Sequence, residues 1–245
     1  MLEKYALSSK GLYEILIDKK VEFLYHANTV VTALTFIRQG CLLSRHTVQE
    51  NDLLQTPQKS DEKDDLHQVW NSVFLDGTDH HDLYNAFNVY GPVLFKIRLD
   101  LLLSDDFDKV YITKSNPTVW RDDKISEENY YESLEEVRRD YLNGKILPSQ
   151  IMFTFRNVER KLNLKKYLYS ILIDDPKIRF PNNQGGIEGR DYLIPLFARV
   201  INESGLSNII LDKRTHNASC ACFQQYVNML KTDPLMLKRF FRKDL

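Results

Sequence analysis

The sequence contains few features of secreted, membrane-spanning or disordered proteins. Its three cysteines, Cys41, Cys220 and Cys222, are an odd number without the spacing of a disulfide framework. No apolar run approaches the ~18 residues of a membrane span, and the amino-terminal segment has no apolar core of signal-peptide length. These absences predict a cytoplasmic protein with buried thiols and no membrane partner.

An excess of charge of one sign is also absent. The 33 Lys and Arg residues nearly cancel the 34 Asp and Glu residues, which excludes a chain-wide attraction for nucleic acid. Any nucleic acid must therefore be held by a local basic patch. Glycine is scarce, at 9 residues, and no internal repeat occurs, whereas 43% of the residues are hydrophobic. The composition of this 245-residue chain favours a well-packed core.

Apolar spacings along the chain predict a mixed α+β fold. A helix is expected in "TVVTALTFIRQG" and another over 126–144, where Ser126 would cap the first turn and Gly144 would end the last. The polar segment 46–68 is predicted to be an exposed loop that orders over substrate. Short strands are expected at 23–25, 73–76, 92–102 and 108–117, in "IMFTF" and in "KYLYSILIDD".

The order of these elements resembles that of DarT-type ADP-ribosyltransferases. "FLYHAN" is followed by a helix and by "GCLLSR", and "VYITKSNP" contains a strand that ends in threonine and asparagine before a loop. A helix, an apolar strand and a last strand, "LKKYLYSILID", complete the pattern through about residue 175. The resemblance implies an ADP-ribosyltransferase-like fold, in which a split, twisted pair of small sheets clasps NAD.

The resemblance also implies a division of the chain. Residues 1–178 would form the NAD-binding domain, and residues 179–245 would form a mainly helical α/β extension packed on it. The last segment, "LKRFFRKDL", is expected to pack its phenylalanines on the body of the protein. Contact of this basic, aromatic tail with a nucleic-acid backbone is the alternative.

Position 150 matters most for the implied chemistry, because the family has a glutamate where this sequence has Gln150. Cleavage of the bond between ribose and nicotinamide develops an oxocarbenium ion, which a carboxylate stabilises preferentially in the transition state. An amide has nearly the same shape but lacks the charge. Gln150 then marks a weak, altered or deliberately inactivated enzyme. The alternative is an ordinary polar residue at the start of a strand.

The resemblance suggests further contacts with NAD. His26 would donate a hydrogen bond to the adenosine ribose, and Asn28 would share the ribose or the nicotinamide amide. Ser44 and Arg45, in "GCLLSR", would contact the dinucleotide, with Arg45 assisting its phosphates or the reaction. Tyr90 would stack on nicotinamide. Each residue also has a structural interpretation, such as a solvated arginine or an aromatic residue of the core.

Two motifs invite a metal interpretation, but neither has the spacing of a strong site. "DGTDHHD", at 76–82, lacks paired histidines one helical turn apart. "THNASCAC", at 215–222, offers His216, Cys220 and Cys222, which are too few and too crowded for a closed site without a fourth ligand. We therefore predict no metal ligands. His81 is interpreted instead as a catalytic residue that faces the cleft and handles a proton near the acceptor.

These observations predict an NAD-dependent ADP-ribosyltransferase that modifies a base in DNA or RNA. The resemblance implies a toxin of a bacterial toxin–antitoxin or phage-defence system, with an antitoxin protein as its partner. One alternative is a catalytically inert NAD-, nucleotide- or protein-binding module on the same fold, in which Gln150 is native. Another is a metal-dependent nuclease built on "DGTDHHD", which chelation would inactivate.

Overall fold

The computed structural model of the chain describes residues 2–58, 60–84, 86–121, 126–142, 151–176, 179–180, 187–206, 208–215 and 220–242. Gly144, Gln150 and His216, on which predictions were made above, lie outside these described residues. None of the helices within the described ranges is long and apolar enough to cross a membrane.

Both strands and helices occur along most of the described chain, as the predicted α+β class requires. The strands are β1 (Ala6–Ser8), β2 (Phe23–Asn28), β3 (Cys41–Leu42), β4 (Ser72–Asp76), β5 (Val93–Arg98), β6 (Lys109–Thr113), β7 (Met152–Arg156), β8 (Leu162–Asn163), β9 (Leu168–Asp175), β10 (Arg179–Phe180), β11 (Ile187–Glu188) and β12 (Ile210–Thr215). The α-helices are α1 (Ser9–Asp18), α2 (Val30–Gln39), α3 (Arg45–Glu50), α4 (Asp61–Leu66), α5 (His80–Tyr84), α6 (Leu134–Leu142), α7 (Leu164–Tyr167), α8 (Gly189–Glu203), α9 (Ala221–Thr232) and α10 (Pro234–Phe241). Short 3₁₀ helices span Leu2–Tyr5, Leu99–Leu103, Pro117–Val119 and Ser126–Asn129.

One large mixed sheet organises the fold. Its eight strands lie in the order β1-β6-β7-β4-β2-β5-β9-β12. Neighbours are antiparallel except for β9 and β12, which run parallel. The prediction of a mixed α+β fold is thus confirmed. One continuous sheet takes the place of the predicted pair of small sheets.

The sheet is nearly divided between β4 and β2. These two strands meet at a single residue pair, Tyr25 and Asp76, whereas β2 pairs with β5 over six residues. On the other side, β4 pairs with β7 over five residues. Two well-paired half-sheets, β1-β6-β7-β4 and β2-β5-β9-β12, therefore diverge on either side of one bridge. We call this place the split.

Helix α2 connects the split to the carboxyl-terminal part of the chain. Its residues from Val30 to Ile37 are all buried, which is typical of a helix enclosed by other elements. It packs on α8 and α10. Gly40 ends it in the left-handed conformation, with φ +67°, as the predicted stop at this glycine requires.

Residues beyond 178 share the sheet and the core with the rest of the chain. Strand β12 adds to β9, and the ring of Tyr226 in α9 lies between those of Phe87 and Phe241. Phe240 and Phe241 are buried, so the prediction that the tail packs on the body is confirmed.

The helix predicted over 126–144 is shorter in the structure. After the 3₁₀ turn Ser126–Asn129, the chain runs extended beside β6, where the Tyr131 amide donates to the carbonyl of Ile112 over 2.9 Å. The α-helix begins only at Leu134. Tyr130 and Tyr131 are both buried. Burial of two aromatic rings therefore overrides the local helical preference of this segment.

The prediction of an exposed loop over 46–68 is wrong. Within it lie part of α3 and all of α4, and the side chains of Thr56, Ser60, Asp64 and His67 are buried. Three threonines of the α2 region hold the segment in place. The hydroxyl groups of Thr29 and Thr56 are 2.8 Å apart, the Thr56 amide donates to Thr32 Oγ1, and Thr35 Oγ1 donates to the carbonyl of Leu54. Buried polar groups of this segment find hydrogen-bond partners in the α2 region, which the polarity of the segment alone does not reveal.

Candidate functional site

A small cavity lies at the split and brings together residues that are far apart in the sequence. It measures about 90 Å³. Its walls come from β2, from β4 and from the segments around Arg45, Asp64, Tyr90 and Asn116. Where a sheet divides, polar groups of the neighbouring strands lack the hydrogen bonds that continuous strand pairing would provide. Such a place is suited to a binding site.

His26 spans the split. Its Nδ1 lies 2.7 Å from the carbonyl oxygen of Phe74 in β4, where the two strands are no longer paired. Burial lowers the pKa of His26, against the opposing effect of the Phe74 carbonyl, so the neutral ring is favoured. Because the carbonyl can only accept, Nδ1 carries the proton and Nε2 is left as an acceptor. Nε2 of His26 can therefore accept a hydrogen bond, whereas the prediction made His26 a donor.

Asn28, at the end of β2, offers an unused donor. Its side chain is buried in the cavity wall, and its Nδ2 has no hydrogen-bond partner among the described residues. A buried amide nitrogen without a partner costs about 1–3 kcal/mol. The wall here is closely packed, because a Cβ on Gly91, whose φ is +142°, would lie 2.2 Å from the carbonyl oxygen of Asn28. Gly91 therefore permits a close approach of two main chains beside the unpartnered amide.

Arg45 is held in the cavity wall by several contacts. Its Nη1 donates to the carbonyl of Thr56 over 2.9 Å, and its Nη2 forms an ion pair with Asp61. The guanidinium also lies over the ring of Trp70. Its buried Nε has no hydrogen-bond partner in the described part of the chain. Arg45 thus presents a fixed positive charge with one unused donor.

Asp64 is a cavity residue that the sequence did not reveal. Burial raises the pKa of its carboxyl group from the ordinary 3.8 to about 7, and the neighbouring charge of Asp61 adds to this rise. Ser60 and Arg45 oppose the effect. A carboxyl group that titrates near neutrality can donate or accept a proton. No sequence signal marks it, because it lies in the acidic run "SDEKDD" that is typical of a solvated surface.

Substitution Asp64→Asn is expected to stabilise the protein increasingly as the pH rises from 4 to 7. The pKa of Asp64 is raised in the folded state, so the wild-type contribution to stability is full below its ordinary pKa and is lost as the pH approaches 7. Asparagine does not ionise and avoids that loss. Denaturant unfolding at pH 4, 5.5, 7 and 8 checks the prediction. The exposed Asp65→Asn is the control, and a gap between wild type and Asp64→Asn that stays constant with pH would contradict it.

Tyr90 connects the cavity to a larger groove. Its hydroxyl accepts a hydrogen bond from Asn116 Nδ2 over 2.8 Å, and both residues line the cavity. Tyr90, Gln58 and Ser60 also line a neighbouring groove of about 630 Å³ that extends to α9 and α10. The cavity alone is smaller than the roughly 300–1,000 Å³ typical of ligand sites. Together with the groove, the available volume falls within that range.

One predicted NAD contact, Ser44, and one predicted catalytic residue, His81, lie elsewhere. Ser44 caps α3, where its Oγ accepts from the Thr47 amide over 3.1 Å and donates to Asn71 Oδ1 over 2.8 Å. His81 lies beside Cys220, with 3.6 Å between His81 Nε2 and Cys220 Sγ. Neither residue is among those that line the cavity. The structure therefore brings together His26, Asn28, Arg45 and Tyr90, but not Ser44 or His81.

The strand after Gln150 reaches the cavity. Ile151 and Met152 are buried, and Met152 lines the cavity wall. Gln150 itself lies outside the described residues. The prediction for Gln150 therefore rests on the sequence and on the position of the strand that follows this residue.

The acidic motif "DGTDHHD" has a structural role in the described chain. Asp79 is paired with Arg214, and Arg214 Nη1 is also 3.6 Å from Asp174 Oδ1. Asp76 Oδ1 lies 3.6 Å from His80 Nε2, and this contact raises the pKa of His80. An arginine between the carboxylates disfavours binding of a divalent cation there. This arrangement does not favour the nuclease alternative.

The cysteines correct one prediction. Cys41 is a buried, free thiol, as expected. Cys220 and Cys222 are instead joined by a disulfide.

The sequence matches no protein-family model, and a search of curated proteins finds no significant match.

Proposed function

We propose that the protein is an NAD-dependent ADP-ribosyltransferase that modifies a base of DNA or RNA, on a divergent ADP-ribosyltransferase-like fold. The observation that supports the proposal is the meeting of His26, Asn28, Arg45 and Tyr90 around one cavity at the split. The resemblance had assigned all four to NAD from separate motifs. A sheet that is nearly divided in two is also compatible with the split sheets of that family.

The polar groups of the cavity suit the groups of NAD. The unpartnered Nδ2 of Asn28 would donate to a carboxamide or ribose oxygen, and Nε2 of His26 would accept from a ribose hydroxyl. The positive charge of Arg45 would attract the pyrophosphate, and the ring of Tyr90 would stack on a base or on nicotinamide. The adjoining groove would take the part of the dinucleotide that the cavity cannot hold.

Stabilisation of positive charge on the ribose needs a negative group. Gln150 has none, but Asp64 and Asp76 both line the cavity. Asp76 is paired with His80, and Asp64 is half-protonated near pH 7 because burial raises its pKa to about 7. In the sequence as it stands, either carboxylate would act less effectively than a glutamate at 150. We therefore infer a weak enzyme, acting as a toxin with an antitoxin protein as its partner.

Calorimetry with NAD tests the proposal directly. The wild-type protein is expected to bind NAD saturably, because the cavity residues act mainly on the ground state. Asn28→Ala removes the unpartnered donor and is expected to weaken binding by about 3–10-fold, the effect of one hydrogen bond. Asn202→Ala, on the exposed face of α8, is the matched control. Absence of wild-type binding at millimolar NAD would contradict the proposal.

A catalytically inert binding module on the same fold is the alternative that Gln150 favours. Both proposals expect NAD to bind. They differ in nicotinamide release, which only the transferase shows. Chromatography of NAD incubated with the protein and with DNA or RNA oligonucleotides separates them, because free nicotinamide and an oligonucleotide carrying ADP-ribose appear only with an enzyme.

A further inference from the structure

Three side chains with metal-binding atoms, supplied by two separate motifs, meet in the structure. His81 comes from α5, in "DGTDHHD", whereas Cys220 precedes α9 and Cys222 lies in its first turn. The ligand atoms of the three residues all lie within 4.8 Å of one another. Each motif by itself lacks enough ligands for a site. The fold combines them.

The donor set is selective for a particular class of metal ion. One imidazole nitrogen and two thiolate sulfurs suit a borderline-soft cation with tetrahedral coordination, above all Zn²⁺. The surroundings support this use of His81. Its Nε2 faces Cys220 Sγ at 3.6 Å, and its Nδ1 lies 3.5 Å from the carboxylate of Asp82. A carboxylate behind the outer nitrogen of a histidine is the usual device that orients a metal-bound imidazole.

The disulfide between Cys220 and Cys222 occupies both sulfur atoms and is incompatible with thiolate ligation. We propose that His81, Cys220 and Cys222 form a thiol-gated zinc site, closed by the disulfide and opened by its reduction. Two equivalents of a cellular thiol break the S–S bond, giving the two protein thiols and one small-molecule disulfide. Zn²⁺ then binds His81 Nε2 and the two sulfurs, the two thiol protons leave to solvent, and water completes the tetrahedron.

The site lies where it can connect two parts of the fold. The segment that carries His81 follows β4, whose last residue, Asp76, lines the cavity. The same segment contacts α9 again where the amide of Phe87 donates to Gln225 Oε1 over 3.0 Å. A metal held by His81 and both cysteines would therefore fix α9 against the chain that leaves the cavity, whereas the disulfide joins only two residues at the start of α9. This inference does not depend on the proposed transferase activity.

Cobalt(II) binding tests the zinc site on the whole protein, since tetrahedral Co²⁺ with thiolate ligands absorbs in the visible and near-ultraviolet. The protein is reduced with a phosphine, which is oxidised to its oxide, and is then titrated with Co²⁺ without oxygen. We expect one equivalent to bind with thiolate charge-transfer absorption, and Zn²⁺ to displace it. The oxidised protein is expected to show no such absorption.

Variants identify the ligands. His81→Ala is expected to weaken Co²⁺ binding by at least about 10-fold, because loss of even a residue that only orients a metal ligand has an effect of that size. Cys222→Ser is expected to abolish the charge-transfer absorption. Cys41→Ser, which removes the buried free thiol, and His80→Ala are the controls that should leave both unchanged. Circular dichroism shows whether each variant folds, and if a cysteine variant does not, the comparison of oxidised and reduced wild type decides. Absence of binding to the reduced protein, equal binding to the oxidised protein, or full binding by His81→Ala would each overturn the proposal.

Discussion

Substitution Gln150→Glu is expected to raise the rate of NAD-dependent modification of nucleic acid by about 100–1,000-fold. Loss or gain of one group that stabilises a developing charge in the transition state typically changes the rate by this factor. Glutamate keeps the shape of glutamine and adds the negative charge that positive charge on the ribose requires. The strand that begins just after this position contributes Met152 to the cavity wall, so a side chain at 150 precedes a segment that already reaches the site.

The gain is expected in turnover, with little change in NAD affinity. The added charge acts when the bond to nicotinamide breaks, whereas His26, Asn28, Arg45 and Tyr90 supply the proposed ground-state contacts. Mass spectrometry of DNA and RNA oligonucleotides incubated with NAD measures turnover, and calorimetry measures affinity. Bacteria expressing the glutamate form are expected to grow more poorly than those expressing the sequence as it stands.

Gln49→Glu is the matched control, because it adds the same charge at an exposed position of α3. It should leave modification unchanged. Equal modification by wild type and Gln150→Glu would show that position 150 is not the site of the family's glutamate. In that case Asp64→Asn and Asp76→Asn identify the carboxylate that serves instead. If no form modifies DNA or RNA although all bind NAD, the inert binding module is correct.

Substitution Arg214→Met is expected to lower the free energy of unfolding by about 3–5 kcal/mol at pH 7, the usual effect of removing one partner from a buried ionic cluster. Arg214 lies among three carboxylates. It forms an ion pair with Asp79, and its guanidinium nitrogens lie 3.6 Å from Asp174 and 3.9 Å from Asp82. Asp79 and Asp174 are buried, with 8% and 6% of their surfaces exposed, and methionine would leave both without their shared cation.

The loss is expected to be smaller at pH 4 than at pH 7. Burial raises the pKa of Asp79, and the positive charge of Arg214 restrains that rise. A carboxyl group with a raised pKa in the folded state contributes stability at low pH and loses it as the pH rises through that pKa. Without Arg214, the pKa of Asp79 rises further, so the stability that this carboxyl group contributes continues to fall up to a higher pH. At pH 4 the protonated carboxyl group reduces the need for a cation.

Denaturant unfolding of wild type and Arg214→Met at both pH values measures these effects. Arg199→Met is the matched control, since Arg199 pairs with Glu203 across an exposed turn of α8 and such pairs contribute about 0–1 kcal/mol. A loss no larger than that of the control would contradict the prediction. The cluster also includes Tyr226, whose hydroxyl donates to Asp174 over 2.7 Å and whose pKa burial raises well above its ordinary value. The same substitution should therefore loosen α9.

Local sequence patterns predicted most strands of the large sheet. Apolar runs correspond to β4, β5, β6, β7 and β9 within a few residues, because alternation and turn residues act over short distances. The same reasoning failed at 126–133, where helical preference is overridden by burial of Tyr130 and Tyr131 against β6. It failed again at 46–68, where the polar side chains find partners on α2. In both places, contacts between distant residues outweigh local preference.

For the candidate site, the sequence by itself determined which residue types are present: a histidine and an asparagine on β2, an arginine at the start of α3, and Tyr90 before Gly91. Only the tertiary structure decided which of them share a cavity. Strand order placed His26 opposite the Phe74 carbonyl, and burial gave Asp64 a pKa of about 7. The pairing of α5 with the start of α9 brought His81 to Cys220. These outcomes depend on the register of strands and on desolvation, which arise between residues that are remote in the chain, so no short motif contains them.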